Sequence, residues 1–361
     1  MKKEVAVFIV TVWFCIVVAA SVFAQDISLP RVSPAASVTQ RIGITDIRID
    51  YHRPSVRGRV IWGQVVPYGM APGVPFGSGK PFPWRAGANE NTTISFTHDV
   101  KIEGKPLKAG TYGLHIIPGP EECTVIFSYN STAWGSFFYD EREDALRVVV
   151  KPRASVHEES LRCGFDELED DSALAYLHWE KLMIPFRIEI AVHKIVLESI
   201  KKELQSLPGF GWEGRHQAAR YCLQNNISLD QGLEWINSSI ERQKNFTNLS
   251  TRAQILTKMA RADEANTVMA EALTIAREDE LNIYAFQLLN QNKIHEAFDL
   301  LKENTKRYPN SWSAYNNLAE AFRRIGDNGN AVKNYKTALK KAPQDKKAEI
   351  AAVLEQLEGS L

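Results

Sequence analysis

Residues 315–343 read YNNLAEAFRRIGDNGNAVKNYKTALKKAP, and this segment gives the clearest indication of how the C-terminal half folds. Leu318 and Phe322 stand four residues apart, as on one face of a helix, before a glycine interrupts the pattern. A second apolar face begins at the small residue Ala331 and continues at Tyr335. Because a small side chain lets two helices approach closely, the stretch predicts a hairpin of two packed helices.

The same spacing recurs upstream in the chain. Small residues stand where each second helix is expected to begin, and a larger apolar residue follows each one four positions later. The small positions are Gly232, Ala265, Ala297 and Ala331, at spacings of 33, 32 and 34, and the large positions are Ile236, Met269, Leu301 and Tyr335. This period of about 34 residues resembles the tetratricopeptide repeat over residues 213–345. The resemblance implies stacked hairpins whose concave face binds a protein or peptide partner.

The last repeat also indicates which side chains line that concave groove. By analogy with the repeat, we expect Asn316, Glu320 and Arg323 to face it. The earlier units are more degraded, since Arg252 and Tyr284 occupy places where a leucine is usual. The alternative is that the repeats only pack against the rest of the chain or dimerise, in which case these residues have no peptide to bind.

Upstream of Lys194 the helical period disappears, which indicates a second domain. The chain has 361 residues, with 43 basic and 43 acidic side chains and a formal net charge of zero. A content of 24% charged and 44% hydrophobic residues excludes a disordered chain and a polytopic membrane protein. The balanced charge also disfavours a nucleic-acid-binding protein, which needs a basic surplus to meet phosphates. The length predicts about two domains, which we place at residues 25–193 and 194–361.

Short runs of alternating apolar and polar residues fill the first of these domains. In one run Ile47, Ile49 and Tyr51 share a face, as in a half-buried strand. No helical stretch separates the runs, which disfavours a parallel sheet with crossover helices. The expected strands are 37–40, 44–51, 93–100, 101–107, 111–117, 124–129, 146–150, 173–179 and 184–192. They predict an antiparallel β-sandwich, jelly-roll-like, followed by an α-helical repeat solenoid.

The first 24 residues predict a signal peptide. Lys2 and Lys3 precede the apolar run 5–20, and Val22-Phe23-Ala24 offers small residues where a signal peptidase cleaves. An uncleaved anchor is the alternative, but the run is shorter than the ~20 residues that span a bilayer comfortably. We therefore expect an exported protein, periplasmic or secreted, without a membrane span after cleavage.

Three cysteines remain after cleavage, namely Cys123, Cys163 and Cys222. Export permits disulfides, and a bridge between Cys123 and Cys163 stays open because both lie in the β half. The alternative is that all three are small buried hydrophobic residues. No Cys-x-x-Cys pair and no zinc-binding spacing is present in the sequence.

The β half carries several linked motifs in a fixed order. These are Tyr51-His52-Arg53-Pro54, Arg57-Gly58-Arg59, Pro67-Tyr68-Gly69, Trp84-Arg85-Ala86-Gly87-Ala88-Asn89-Glu90, Ala109-Gly110-Thr111-Tyr112-Gly113, Trp134-Gly135 and Tyr139-Asp140. Together they resemble the bacterial family called domain of unknown function 2911, over residues 33–192. The resemblance implies an exported bacterial protein, often with helical repeats appended, and no assigned activity. One departure is the insertion-like stretch 71–83, rich in glycine and proline.

Two loops of the β half carry the residues best suited to bind a ligand. One loop holds Arg53, Arg57 and Arg59, and the other holds Arg85, Asn89 and Glu90. Arginine presents a planar fork of donors, which suits a carboxylate, a phosphate or a sugar. The alternative is an internal network that fixes the loops, for example an ion pair between Arg85 and Glu90. The flanking tryptophans, Trp62, Trp84 and Trp134, are suited either to sugar stacking or to the sandwich core.

The other polar clusters predict no cofactor and no metal. His98 and His115 could converge near Asp99, but polar strand residues are the simpler interpretation. The acidic run 140–144 lacks the offsets of a calcium loop and predicts a solvated turn. No Gly-x-Ser-x-Gly elbow, Walker loop, dinucleotide glycine pattern or His-Glu-x-x-His helix is present.

These observations favour an exported, non-catalytic protein. Its β-sandwich is suited to a small polar ligand, and its helical repeats are suited to a protein or peptide partner. The alternative function is a hydrolase of envelope polysaccharide or peptide, with a site near Arg53, Arg85 and Glu90. A cleft holding a carboxylate with a raised pKa would favour the enzyme, whereas a shallow, salt-bridged cluster of loops would favour binding or a purely structural role.

Overall fold

The structure is a computed structural model that describes residues 29–74 and 79–359. The expected signal peptide, 1–24, lies outside the described residues and stays a prediction. The chain divides into two compact units, one ending at Leu197 and the other beginning at Glu198. No helix in the described part of the chain combines the length and the apolar character that crossing a membrane requires.

The first unit forms ten strands within the described residues. They are β1 Ala35–Ile42, β2 Thr45–His52, β3 Thr93–Phe96, β4 Val100–Ile102, β5 Lys105–Leu107, β6 Gly110–Ile117, β7 Cys123–Ser128, β8 Asp144–Val150, β9 Arg153–Asp166 and β10 Ser172–Glu189. One sheet has the order β1-β2-β3-β6-β7-β8, and the other has the order β5-β4-β10-β9. All these strand pairs are antiparallel, so the predicted antiparallel β-sandwich is confirmed.

One apolar core joins the two sheets, and the alternation of the strands explains it. Ile47 and Ile49 on β2 are fully buried, as their shared face predicts. Phe127 on β7 meets Phe186 on β10 edge to face, with ring centroids 5.7 Å apart. Aromatic pairs of this geometry stabilise a core beyond the apolar area they bury.

Two details of the predicted strands are wrong. Strand β9 is absent from the predicted strands, because its many charged residues hide the alternation of an edge strand. The predicted strands 173–179 and 184–192 are parts of the single strand β10, which ends at Glu189. Register shifts flank Glu180, whose φ of 56° is unusual for a residue with a side chain. This bulge interrupts the alternation, which is why the sequence suggested two strands.

Long connections carry most of the candidate site residues. Residues 53–92 join β2 to β3, and within them Ala71 pairs with Phe82 as an isolated bridge. Trp84 bridges to Ile116 on β6, which fixes the end of this connection on the sheet. A second connection, 129–143, joins β7 to β8. The three cysteines are all free and buried, so the bridge between Cys123 and Cys163 does not form.

Ten helices follow β10 within the described residues. They are α1 Val192–Glu203, α2 Glu213–Asn225, α3 Leu229–Arg242, α4 Phe246–Lys258, α5 Ala262–Ile275, α6 Glu278–Asn290, α7 Ile294–Arg307, α8 Trp312–Arg324, α9 Asn328–Lys341 and α10 Gln344–Glu358. Helices α2 to α9 pack as four successive hairpins, and α10 packs on α9. The predicted helical repeats are therefore confirmed.

The small residues of the repeat explain how these hairpins close. Ala265, Ala297 and Ala331 are buried at the fourth position of α5, α7 and α9, and Gly232 holds the same place in α3. A methyl group on Gly232 would lie 2.9 Å from Cβ of Cys222 on the paired helix. Such a contact is too short for any real side chain, so the close approach requires the glycine.

Candidate functional site

A cleft of about 600 Å³ lies on the β half. Four of the eight ligand-binding residues predicted from the sequence line it, namely Arg57, Arg59, Trp84 and Arg85. The remaining walls come from the connection between β2 and β3, from the chain before β1 and from Trp179 on β10. Trp179 is not among the predicted site residues, because within β10 it has the pattern of an ordinary core residue.

Three tryptophans form one aromatic cluster at this cleft. Trp84 stacks on Trp179 with ring centroids 6.0 Å apart and 17° between the planes. Trp62 meets both rings closer to edge on, at 5.6 Å and 6.3 Å. Trp179 is 2% exposed, and its indole Nε1 has no hydrogen-bond partner among the described residues. A buried N–H without an acceptor is costly, so this donor requires an explanation.

Arg57 and Arg59 lie on the exposed side of the cleft. Arg59 donates from Nη2 to the carbonyl oxygen of Ser55 at 2.6 Å, which holds its guanidinium close to the backbone. The backbone N–H of Arg57 donates to Glu159, but its guanidinium makes no hydrogen bond and no ion pair within the described residues. Arg57 therefore offers most of its donors to solvent or to a ligand.

Arg85 is held by an aromatic loop rather than by an acid. Its Nη1 donates to the carbonyl oxygen of Asn89 at 2.5 Å. Its guanidinium carbon lies 5.1 Å from the ring of Trp134 and 4.5 Å from the ring of Phe137. These distances are typical of cation–π contacts. Burial without a neighbouring carboxylate lowers the pKa of the Arg85 guanidinium.

A glycine allows the loop to cover Arg85 this closely. Gly135 has a φ of 67°, and a methyl group there would lie 2.3 Å from the guanidinium carbon of Arg85. Trp134 itself is 53% exposed and does not line the cleft. Trp134 therefore covers Arg85 from the side of the second connection.

The expected ion pair between Arg85 and Glu90 is wrong. Glu90 instead accepts two hydrogen bonds from Arg31, at 2.6 Å and 2.7 Å, and lies 3.3 Å from Nε2 of His52. The hydrogen bond from Arg31 is the main cause that lowers the pKa of the Glu90 carboxyl. Asn89 donates to the carbonyl oxygen of Ser33, so this end of the loop fixes the chain before β1.

Arg53 also has a structural role outside the cleft. Its Nε donates to the carbonyl oxygen of Leu161 at 2.8 Å, which joins the end of β2 to β9. A carboxylate oxygen of Glu158 lies 4.0 Å away, at the limit of an ion pair. Of the predicted set, Arg53, Asn89 and Glu90 thus stabilise the fold, whereas Arg57, Arg59, Trp84 and Arg85 meet in one place.

The histidines of the β half do not meet at a metal site. His98 lies beside Thr45 and Thr97, whereas Nδ1 of His115 lies 2.8 Å from Oγ of Ser136. Within the described residues no group of three His, Cys, Asp or Glu side chains could hold a metal ion. Burial is the main cause that lowers the pKa of His115 to about 4, and the charge of Arg85 contributes.

The acidic run 140–144 consists largely of ion pairs. Asp140 accepts from Arg142, and Asp144 accepts from Tyr139 and Arg147. These hydrogen bonds involve two of the four carboxylates in the run. The run therefore fixes the start of β8.

The predicted groove residues of the last repeat differ in how firmly they are held. Glu320 accepts from Arg323 at 2.7 Å and from the hydroxyl of Tyr335 at 2.9 Å. The hydrogen bond from Arg323 is the main cause that lowers the pKa of the Glu320 carboxyl. Asn316 is half-buried on the same helix, α8. Glu320 also accepts from Arg324 at 3.3 Å, so a peptide would meet one carboxylate paired with two arginines rather than separate charges.

A comparison with protein families finds a match within the β half. Residues 33–188 match the model of a family described as "Protein of unknown function (DUF2911)". This match confirms the expected resemblance over nearly the same residues. Nearly all of the residues that line the cleft lie within the match. A search of curated proteins finds no match to the chain.

Solved structures resemble the helical half. Pseudomonas aeruginosa PilF is 17% identical, with a TM-score of 0.28 over 40% of this chain and 67% of that chain. MamA from Desulfovibrio magneticus RS-1 is 16% identical, with a TM-score of 0.25 over 41% and 96%. YrrB, described as a TPR protein with an unusual peptide-binding site, is 15% identical, with a TM-score of 0.28 over 45% and 84%. The assignment of helical repeats therefore rests on the four hairpins of the structure itself.

Proposed function

We propose that this chain is an exported, non-catalytic binding protein. Its β half binds a small polar ligand in the cleft, and its helical half is a scaffold for a protein or peptide segment. The observation that carries the proposal is that Arg57, Arg59 and Arg85 share one cleft whose lining contains no acidic side chain among the described residues. Three cations in a lining without an acidic side chain attract a ligand that is rich in hydrogen-bond acceptors.

The state of two of these arginines supports this function. The guanidinium of Arg57 has no hydrogen bond or ion pair within the described residues, so a ligand can take its donors without breaking a bond. The guanidinium of Arg85 is partly buried beside Trp134 and Phe137, where its charge is desolvated. Desolvation strengthens the attraction between such a cation and an approaching anion.

The alternative function, a hydrolase, finds less support. A general acid near neutral pH needs a carboxyl group with a raised pKa. The pKa of Glu90 is lowered by its hydrogen bond from Arg31, and Glu90 does not line the cleft. This carboxylate is better suited to stabilising the loop than to transferring a proton.

The scaffold role of the helical half rests on its repeated hairpins. The first hairpin packs on the second and the third packs on the fourth, and Phe246 of the second hairpin meets Tyr284 of the third with ring centroids 6.1 Å apart. Arrays of such hairpins present an extended surface to a partner. If Asn316 and Arg323 contribute to that surface, replacing both by alanine should remove a partner recovered from envelope extract with the full chain. Replacement of Lys346, on the terminal helix α10, by alanine is the matched control. Equal recovery by all three proteins would contradict the assignment of the groove.

Export is supported by the basic start and the apolar run of the sequence. Mass spectrometry of the protein from its native host should find Gln25 at the mature N-terminus. An intact Met1 on protein recovered from the cytoplasm would contradict export.

Ligand binding is tested by thermal unfolding of the full chain with a panel of carboxylates, phosphates and sugars. A ligand that binds the folded state at 100 times its Kd stabilises it by about 2.7 kcal/mol, so at least one panel member should raise the melting temperature. In Arg57→Gln this rise should be lost. Arg41→Gln removes a surface arginine outside the cleft and is the matched control. If no panel member raises the melting temperature of the wild-type chain, the proposal is wrong.

A further inference from the structure

The cleft offers donors far more readily than acceptors. Arg57, Arg59 and Arg85 can only donate, and so can the indole N–H of Trp179, whereas the indole N–H of Trp84 already donates to the carbonyl oxygen of Gly87. Serine hydroxyls are the remaining polar side chains in the lining, and the hydroxyl oxygen of Ser55 already lies 2.9 Å from that of Ser160. A ligand in this cleft must therefore supply acceptors.

The backbone does not correct this imbalance. Many carbonyl oxygens of the lining already accept a hydrogen bond from the protein; these include the carbonyls of Ser33, Pro54, Ser55, Ala71, Trp84 and Gly87. Sugar hydroxyls must donate as well as accept, and an unpaired buried donor costs free energy. Of the ligands that the arginines suit, a carboxylate or a phosphate therefore fits the lining better than a sugar.

The walls of the cleft also require an apolar part of the ligand. Trp84 and Trp179 present a stacked pair, and Phe82 with several valines and prolines completes the apolar lining. The indole N–H of Trp179 is buried without an acceptor at the same wall. A ligand with a hydrocarbon body beside its anionic group would cover this apolar surface and bring an acceptor toward the donors.

We infer that the cleft binds an organic anion in which a carboxylate or phosphate is attached to an apolar body. The anionic group is bound by the arginines, and the apolar body packs on the tryptophan pair. This inference rests on the proposed function, because it specifies the ligand class of the same site.

Isothermal titration of the full chain with matched probes tests the inference. Phenylacetate and phenyl phosphate carry an apolar ring and an anion, phenylacetamide is the neutral counterpart, acetate lacks the ring, and glucose represents sugars. We expect at least one aryl anion to bind at least tenfold more tightly than phenylacetamide, acetate and glucose. The tighter of phenylacetate and phenyl phosphate identifies the anionic group.

Two variants show whether this binding uses the cleft. Arg57→Gln should weaken binding of the aryl anion at least tenfold, because it removes a charge-assisted donor that has no structural partner. Arg41→Gln should change the affinity less than twofold. Equal weakening by both variants would indicate a nonspecific charge effect and overturn the inference.

The remaining outcomes separate the inference from the proposed function. If glucose binds with a dependence on Arg57 and the aryl anions do not, the ligand class is wrong but the binding function stands. If neither phenylacetate nor phenyl phosphate binds more tightly than phenylacetamide and acetate, the ligand class is also overturned. If no probe of any class binds, both the inference and the function of the cleft are overturned.

Discussion

The two halves of the chain are stabilised in different ways. In the β half a single apolar core draws residues from strands distant in sequence, such as β2, β7 and β10. In the helical half separate apolar clusters lie in successive hairpins, for example one around Leu281 and Leu301 and another around Tyr335 and Leu354. The first half depends on long-range contacts, and the second depends on contacts between neighbours in sequence.

This difference explains where each half can carry a binding site. The sandwich is held by its sheets, so its long connections are free to form a cleft of specific residues. The described helices are joined by loops shorter than the two long connections of the sandwich. The surface of the hairpins that can bind a partner is therefore the repeated helix face. We therefore expect a local change to act on the whole of the β half but only on part of the helical half.

The largest expected effect is that of Phe186→Ala in the β half. Phe186 is fully buried against Phe127, and deletion of such a ring typically costs about 3–5 kcal/mol. Because both sheets share this core, hydrogen exchange should accelerate in all the long strands together. Urea unfolding gives the loss of stability. Faster exchange limited to β10 and its immediate neighbours would contradict a single cooperative core.

Leu301→Ala should lower the free energy of unfolding by a similar amount, but it should affect fewer elements of the chain. Leu301 is fully buried among α6, α7 and α8, and the substitution should cost about 2–5 kcal/mol. In a repeat array each unit contacts only its neighbours, so faster hydrogen exchange should be confined to these helices. Loss of protection in α2 and α3 to the same extent would show that the helical half unfolds as one unit.

Acid should weaken the β half through His115. Burial lowers the pKa of His115 to about 4, below its usual value near 6.5. Between these pH values the unfolded state binds a proton that the folded state does not bind. The free energy of unfolding therefore has its full value above pH 6.5 and decreases as the pH falls, by about 3 kcal/mol at pH 4. Urea unfolding at pH 7, 5 and 4 should show a smaller loss for His115→Gln than for the wild-type chain. Identical losses would mean that His115 is not the group responsible.

Gly135→Ala should have the smallest effect of this series. At a φ of 67° an alanine costs about 1–2 kcal/mol, and its methyl group must also displace the guanidinium of Arg85. Gly104→Ala is the matched control, because Gly104 has a φ of 76° and nothing within 4 Å of the added methyl group. Thermal unfolding should show a larger loss for Gly135→Ala. Equal losses would mean that the position of Arg85 is not fixed by the loop.

The contacts of Glu90 show why the candidate site was only partly predictable. The motif placed Arg85 and Glu90 five residues apart, which suggested an ion pair. In the structure β1, β2 and β3 are neighbouring antiparallel strands. The chain before β1, the end of β2 and the chain before β3 therefore meet at one end of the sheet. This brings Arg31 and His52 to Glu90, which no local pattern indicates.

The two kinds of secondary structure and the repeat are readable from the order of the amino acids. The alternation of Ile47 and Ile49 is a local property of a strand, and the spacing of Gly232 and Ala265 is a local property of stacked hairpins. Which arginines share a cleft and which stabilise the fold depends on how the strands and loops pack. This packing also brings Trp179, from a strand far along the chain, to the wall of that cleft. The physical reason is that backbone periodicity depends on near neighbours, whereas contacts between loops depend on the order of strands in the sheets.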